Sequence, residues 1–338
     1  MEFDEILQQF RALGGIADNL VVRNGARGRG LFAADPARPV QLHVPTHLLV
    51  SPRWLALDES QNITIAPTHR SSLRPEVATF FEQYQRVFGW GQGGLQAISQ
   101  HQHQLQALPP RLQNYLRMLG GADELLQAPT PTYCLQKYCA NRQIRIQSAS
   151  WLMPIAEMIN HDVNGLPYVL DHGVRVSGVV HDEVLTCYHR HLDAFHLFIN
   201  YHFVAPADTV LSCEVTVQVP GAGTFHIARM DQLVDAAGEA RTPQLTQKGP
   251  ITQVSFVEIA NRKKPSQPRQ TFTRLLATRQ VPASVANALF DGLEEHNRQV
   301  LTGLIHACQS TPGAMASSLE QIAAHQLAVM ARASQIPQ

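Results

Sequence analysis

The chain has 338 residues, with 27 basic and 27 acidic side chains, so its formal net charge is zero. Its 44% hydrophobic and 16% charged residues are typical of a globular protein with a lightly charged surface, long enough for one large or two moderate domains. Because a nucleic-acid-binding protein normally carries a basic excess or stripe, this balance argues against nucleic acid as a partner.

The cysteines and the apolar runs bear on the cellular compartment of the protein. The five cysteines, at positions 134, 139, 187, 213 and 308, are scattered and odd in number, which favours reduced thiols in the cytoplasm over a disulfide framework. The N-terminus begins with acidic residues and lacks the apolar core of a signal peptide. No run of about 18 apolar residues is present, so we expect no membrane span.

The first 15 residues predict an amphipathic helix, because one side carries Phe3, Ile6, Leu7, Phe10 and Leu13. After it comes a loop with three glycines at 25, 28 and 30, followed by an apolar strand. Glycine accepts a positive φ and lets the backbone approach a ligand, although an ordinary glycine-rich turn is the alternative. Residues 40–45 then alternate like a strand that ends at a proline.

The segment from 51 to 132 is predicted to be mainly helical. Pro75 stands near the start of one helix, and residues 112, 115, 116 and 119 form the apolar face of another. The Gln-, His- and Gly-rich tract from 89 to 110 is predicted to begin as a loop. Residues 133–147 favour a helix followed by a strand.

The stretch from 148 to 204 contains three ordered signals. An apolar run carries Pro154 and Glu157 and ends in Asn160-His161; an acidic turn at 182–183 precedes a strand bearing Tyr188; and a helix closes on Tyr201. Beyond it, residues 211–219 alternate like a strand, and helical signals dominate from 251. These predict helices over 269–276 and 319–333, and one between them with Ser284 as its N-cap.

The order and spacing of these segments resemble the SET domain, in the branch of the Rubisco large-subunit lysine methyltransferases. That branch has an opening "G-x-G-R-G-L-F-A" loop, then "P-x-x-D-x-x-N-H", "G-E-x-V-x-x-Y" and a helix ending in "Y-G-F". The resemblance covers residues 20–50 and 133–220. It implies an α+β fold: a SET β-core of short sheets over residues 1–220 with a helical insertion at 51–132, then a mainly helical, substrate-binding domain over 221–338.

The resemblance also implies a function, the transfer of a methyl group from S-adenosyl-L-methionine to a lysine or another nitrogen of a protein. Tyr201 would be catalytic and Tyr188 a second wall of the same pocket. The acceptor amine would lose its proton through desolvation and the neighbouring sulfonium charge. The implied cofactor-binding residues are Arg27, Gly28, Arg29, Gly30, Arg142, Asn160, His161 and Tyr201, and the implied substrate-pocket residues are His189, His202 and Phe203.

Four positions depart from the family pattern. Glu157 stands for an aspartate, Ala194 for an asparagine, His202 for a glycine and His189 for a small or polar residue. Imidazoles around the reaction centre could act as acids or bases near neutral pH, which leaves open a SET-like enzyme that acts on a small molecule, with or without methyl transfer.

Two further alternatives stay open. A metal-dependent enzyme could use His189, His191, His196 and His202, but the chain has no H-E-x-x-H and no paired C-x-x-C, so we predict no metal. A binding module that keeps the fold without turnover is the other. The chain also lacks the G-x-S-x-G elbow and the G-x-x-x-x-G-K-[ST] loop, which argues against an α/β-hydrolase and a P-loop enzyme.

Overall fold

The computed structural model describes residues 2–188, 192–219, 222–228 and 243–334. The predictions for His189 and His191 lie outside these ranges. The chain divides into two compact units, one of Met1–Gln100 with Ala128–Arg190 and one of His101–Gln127 with His191–Gln338. The predicted domain limits, 51–132 and 220, stay predictions. No helix of the described ranges is both long and apolar enough to cross a bilayer.

The described part of the chain has an α+β fold, with several small sheets, a run of helices between β6 and β7, and a helical C-terminal region. The helices are α1 (Phe3–Ala12), α2 (Pro75–Val87), α3 (Gly94–Gln106), α4 (Pro110–Met118), α5 (Ala122–Leu126), α6 (Pro131–Arg142), α7 (Ala194–Tyr201), α8 (Gln267–Ala277), α9 (Ala283–Gln309) and α10 (Ala314–Ser334).

The strands are short. They are β1 (Ile16–Asp18), β2 (Leu20–Gly25), β3 (Gly28–Ala33), β4 (Val40–Pro45), β5 (Leu55–Leu57), β6 (Ile63–Ile65), β7 (Gln143–Ile146), β8 (Ala149–Leu152), β9 (Asn160–Leu166), β10 (Val169–Leu170), β11 (Gly173–Gly178), β12 (Leu185–Thr186), β13 (Thr209–Leu211), β14 (Val215–Val219), β15 (Gly223–Ala228), β16 (Gln244–Lys248), β17 (Ile251–Ser255) and β18 (Glu258–Asn261).

The first unit is built on a four-stranded antiparallel sheet of order β1-β4-β11-β10, with two-stranded pairs β2-β3, β5-β6, β7-β8 and β9-β12 around it. Helix α1 covers the sheet with Ile6, Leu7 and Phe10, which are fully buried against residues such as Val44 and Val174. The apolar side predicted for the first helix is therefore confirmed. A second core joins α2 and α6 through Phe81, Trp90 and Tyr138.

The second unit contains a four-stranded sheet of order β14-β15-β17-β16 and a β13-β18 pair, and helices α8, α9 and α10 lie against β18 of that pair. Its core includes Phe225, Phe272, Phe290 and Leu304. Helix α7 ends at Tyr201 as predicted, and Phe195, Leu197 and Phe198 are buried on it.

Two local predictions were wrong, the N-cap of α9 and the helical signals after residue 251, and a third, the loop at the start of the polar tract, is confirmed at residues 89–93. Helix α9 begins at Ala283 with Pro282 as its N-cap, so Ser284 is already inside the first turn. The polar tract after residue 93 is helical as α3, because Ile98 and Leu105 give it an apolar side that is buried. Residues 251–261, where helical signals were read, form β17 and β18, and alternate residues of β17 are buried.

Candidate functional site

The glycine loop is the turn of a hairpin. Strands β2 and β3 pair in register from Leu20↔Ala33 to Gly25↔Gly28, so residues 26 and 27 form the tip. Gly28 has a φ of +87°, a conformation that a side chain disfavours, and a Cβ built there would meet no described atom within 4 Å. A glycine at 28 is therefore required by the backbone, and the space beside it is open.

Gly30 is in close contact with two side chains from other segments. A Cβ on Gly30 would lie 2.6 Å from Nδ2 of Asn160 and 2.8 Å from Oε1 of Glu183. The amide Nδ2 of Asn160 also donates to the carbonyl of Arg29 over 3.3 Å. The structure thus brings the predicted glycine loop and the predicted Asn160 into contact, although 130 residues separate them along the chain.

Glu183 joins these two segments. Its side chain is only 7% exposed; Oε1 accepts a hydrogen bond from Nδ2 of Asn160 over 2.7 Å, and Oε2 pairs with Arg27 over 3.3 Å. Arg27 also pairs with Asp162 over 3.0 Å. Both ends of the Arg27 guanidinium therefore face carboxylates of the chain itself. The contact of Arg27 with a cofactor stays a prediction.

Main-chain hydrogen bonds hold the segment around Glu183 in this position. Val184 N donates to the carbonyl of Leu31 over 2.8 Å, and Ala33 N donates to that of Asp182 over 2.9 Å. Strand β12 also runs parallel to β9, with Leu185 opposite Asn160. The acidic turn is therefore held beside both the hairpin and the Asn-His segment by the backbone itself.

His161 and Tyr188 form a second contact beside Asn160. Nδ1 of His161 accepts a hydrogen bond from the main-chain N–H of Tyr188 over 3.1 Å, so this nitrogen carries no proton. Burial lowers the pKa of His161, which favours the same neutral form. The Tyr188 hydroxyl donates to the carbonyl of Ile159 over 2.5 Å, and its ring centroid is 5.1 Å from that of His161.

Arg142 is the last residue of helix α6 and stacks on an aromatic ring. Its guanidinium carbon lies 4.0 Å from the centroid of the Tyr138 ring. Within the described part of the chain, the guanidinium donates no hydrogen bond. Burial opposes its charge, but the electrostatic influence of Tyr138 and Glu157 outweighs this and raises the pKa of Arg142. A stacked, charged guanidinium with vacant N–H groups is suited to bind a carboxylate.

Glu157 belongs to a buried polar cluster that the sequence did not predict. Its Oε1 accepts hydrogen bonds from Nε2 of Gln85 over 2.8 Å and from the Tyr138 hydroxyl over 3.4 Å, whereas Oε2 is buried with no hydrogen-bond partner in the described ranges. Burial raises the pKa of Glu157, and the charge of Arg142 opposes that rise. The signal for Gln85 was present, since it is a polar residue on the apolar face of α2.

The side chain of Arg29 is hydrogen-bonded to the end of α2. Its guanidinium donates to the carbonyl of Phe88, the residue that caps the C-terminus of α2. This bond fixes the loop to α2, and contact of the Arg29 side chain with a cofactor stays a prediction.

The remaining predicted residues lie in the second unit. Tyr201 is half-buried at the end of α7, and its ring centroid is 5.9 Å from that of Phe203. His202 follows in the left-handed conformation, with a φ of +64°, at the C-cap position where glycine is usual. Its ring stacks on His101, with centroids 4.0 Å apart. His101 was not predicted, because nothing local to it marks this contact.

His196, one of the four histidines of the metal hypothesis, is hydrogen-bonded to Asp193. Asp193 is the N-cap of α7; its Oδ1 accepts from the main-chain N–H of His196 over 2.9 Å and contacts Nδ1 of His196 at 2.8 Å. Among residues 2–188, 192–219, 222–228 and 243–334, no group of three or more His, Cys, Asp or Glu side chains is arranged to hold a metal ion.

The chain is similar to solved structures from the branch that the motifs resemble. A structure of the SET domain of LSMT bound to lysine and AdoHcy is 13% identical with a TM-score of 0.40, over 97% of this chain and 89% of that one. A structure of Rubisco LSMT bound to AdoMet is 12% identical with a TM-score of 0.41, over 98% and 90%. No family model and no curated protein matches the chain.

Proposed function

We propose that the protein is an S-adenosylmethionine-dependent N-methyltransferase that acts on a lysine or another nitrogen of a protein. The observation that carries the proposal is the contact between Gly30, Asn160 and Glu183, which joins the two motifs named for cofactor binding. The two motifs are far apart in sequence. A glycine that packs under an asparagine and a glutamate from other motifs is more than an ordinary turn glycine.

The residues of the first unit fit such a cofactor in three respects. The vacant N–H groups of Arg142 suit the carboxylate of the cofactor's amino-acid part, and the open space beside Gly28 leaves the main chain accessible to a ligand. Neutral His161, next to Asn160, would add a hydrogen-bonding group without a second positive charge beside a sulfonium. The bound cofactor would supply an electrophilic methyl group on that sulfonium.

The chain's task in such a reaction is alignment and deprotonation of the acceptor. Displacement at a methyl group is in-line, so the rate depends on how the attacking nitrogen is held. Tyr201 is the residue whose hydroxyl is expected to act next to the methyl group, and Tyr188 is expected to form a wall of the pocket. These two assignments rest on the spacing of the family motif.

Calorimetric titration with S-adenosylhomocysteine tests the proposal. We expect saturable one-site binding to the full chain, and no binding would contradict the proposal and favour a different function for the fold. Incubation with labelled cofactor then distinguishes protein acceptors from small-molecule acceptors. Label in a lysine-containing protein fraction supports protein methylation. Label in small molecules alone would show that the proposed substrate class is wrong.

A further inference from the structure

The side-chain amide of Asn160 can face only one way. Its Nδ2 lies 2.7 Å from Oε1 of Glu183 and 3.3 Å from the carbonyl oxygen of Arg29, and both of these atoms are acceptors. Only an NH2 group can meet two acceptors, so the opposite rotamer would set Oδ1 against a carboxylate. The neighbours therefore determine the orientation of the amide chemically.

In this orientation, Oδ1 is the polar atom of the Asn160 amide that contacts neither Glu183 nor the carbonyl of Arg29. Within the described ranges it accepts no hydrogen bond, and it is not a buried unsatisfied atom. An amide oxygen can only accept. A ligand that occupies the space beside it must therefore offer an N–H or O–H group there, and would be repelled if it offered an acceptor.

We infer that Glu183 is a positioning residue for the ligand site: it orients the Asn160 amide and holds the glycine loop against it, so that Oδ1 of Asn160 is presented to a donor group of the ligand. The inference rests on the proposed function for the identity of the ligand. Glu183 itself needs no ligand contact, because both of its oxygens are engaged, one by Asn160 and one by Arg27.

The charge of Glu183 matters to this task. The side chain is only 7% exposed, so its bond to Asn160 is charge-assisted and little screened by water. A glutamine at 183 has one oxygen and one NH2. If its oxygen faces Asn160, its NH2 faces the guanidinium of Arg27, which is also a donor; if it turns over, it faces the NH2 of Asn160 instead.

The first test uses S-adenosylhomocysteine and the variants Glu183→Gln, Asn160→Ala and the pair together. We expect Glu183→Gln to raise the dissociation constant by about tenfold, because a charge-assisted hydrogen bond is lost. In the Asn160→Ala background the same change should cost less than about threefold, since additivity fails for a residue that acts through its neighbour. Equal losses in both backgrounds would overturn the inference.

The matched control is Asp162→Asn, which removes the other carboxylate that pairs with Arg27 and does not contact Asn160. It should leave the affinity within about twofold of wild type, because an exposed ion pair contributes little. A loss as large as that of Glu183→Gln would assign the effect to Arg27 and overturn the role of Asn160. Thermal unfolding of every variant separates a folding defect from a change in affinity.

A measurement without ligand separates this inference from the proposed function. In ¹H–¹⁵N spectra, the side-chain NH2 of Asn160, assigned by its loss in Asn160→Ala, should show slowed exchange in wild type and in Asp162→Asn, and fast exchange in Glu183→Gln. Fast exchange in wild type would overturn the inference even if the cofactor binds. Slow exchange with no binding of S-adenosylhomocysteine would retain the inference and reject the proposed cofactor.

Discussion

Gln85 donates a hydrogen bond from Nε2 to Oε1 of Glu157 over 2.8 Å, across 72 residues of sequence. This bond links the buried face of α2 to the segment that leads into Asn160. The same carboxylate has a second oxygen that is buried without a hydrogen-bond partner in the described ranges. A buried carboxylate satisfied on one side only is costly when it is charged, and so its proton affinity rises.

Replacement of Glu157 by Gln should change how stability depends on pH. Burial raises the folded-state pKa of Glu157 above its ordinary 4.5, so the folded protein holds this proton more tightly than the unfolded chain does. The contribution of Glu157 is therefore most favourable below pH 4.5 and is lost as pH rises through the folded-state pKa. Relative to wild type, Glu157→Gln should gain stability as pH rises from about 4 to 8.

Urea unfolding of both proteins across this range measures the difference. Glu82→Gln is a suitable control, since Glu82 is another glutamate of the first unit that accepts hydrogen bonds, and its carboxylate is paired with Arg70. A difference between wild type and Glu157→Gln that stays constant, or that falls with pH, would show that Glu157 is not held with a raised pKa.

Gly30→Ala should destabilise the protein by about 1–3 kcal/mol, because the new methyl group overlaps Asn160 and Glu183. The Cβ would stand 2.6 Å and 2.8 Å from their side-chain atoms, closer than non-bonded contact allows. Gly292→Ala is the matched control: this glycine lies inside α9, and a Cβ there meets no described atom within 4 Å. That change should stabilise the protein by about 0.5–1 kcal/mol.

Chemical denaturation gives both values. If Gly30→Ala were neutral, the close packing of the loop under Asn160 would be wrong. If both alanines destabilised equally, the effect would belong to glycine replacement in general and not to this contact.

The elements that the sequence predicted well are those whose cause is local. The burial of Ile6 and Phe10 follows from the helical period of apolar residues within one segment. The glycine loop was identified from its glycines, and the positive φ at Gly28 is a local conformation that glycine adopts readily. The end of α7 at Tyr201 likewise follows from one apolar run. In each case the information lies within about ten residues.

The contacts that it missed depend on distant residues. Gln85 is polar on an apolar face, and only its partner 72 residues away makes that burial favourable. Glu183 was noted as part of an acidic turn, but its task depends on Asn160 and Arg27 together. The Ser284 cap failed for a smaller reason, since a proline two residues earlier already starts α9. Pairing across the fold sets the contacts of Gln85 and Glu183.

Tyr201→Phe should lower turnover by at least about tenfold, which is roughly 1.4 kcal/mol of activation free energy, and leave the affinity for S-adenosylhomocysteine nearly unchanged. The change removes one hydroxyl and keeps the ring that packs near Phe203. Single-turnover methyl transfer measures the rate, and calorimetry measures the affinity. Unchanged turnover would remove Tyr201 from its expected role.

Tyr188→Phe serves as the comparison for Tyr201. It removes a hydroxyl that already donates to the carbonyl of Ile159. We expect a loss of stability of about 1 kcal/mol, the typical value of such a bond, with a smaller effect on turnover than Tyr201→Phe has. If the two variants lost turnover equally, the hydroxyl at 201 would have no special part in the reaction.

Arg142→Met should separate the two ends of the cofactor. If the guanidinium binds a carboxylate, the variant should bind S-adenosylhomocysteine at least about tenfold more weakly, because a charge-assisted pair is lost. Binding of 5′-methylthioadenosine, which has the adenosine but no carboxylate, should be unchanged. Arg142→Lys should give an intermediate loss, since lysine keeps the charge but loses the two-pronged geometry and the stacking on Tyr138.

The comparison of the two ligands is decisive because Arg142 also has structural contacts. Its guanidinium stacks on Tyr138, and its charge opposes the raised pKa of Glu157. A purely structural role predicts that Arg142→Met weakens both ligands by the same factor and lowers the unfolding temperature. A carboxylate-binding role predicts a loss for S-adenosylhomocysteine alone. Equal losses in calorimetry would therefore assign Arg142 to the polar cluster around Glu157 and leave the carboxylate to another cation.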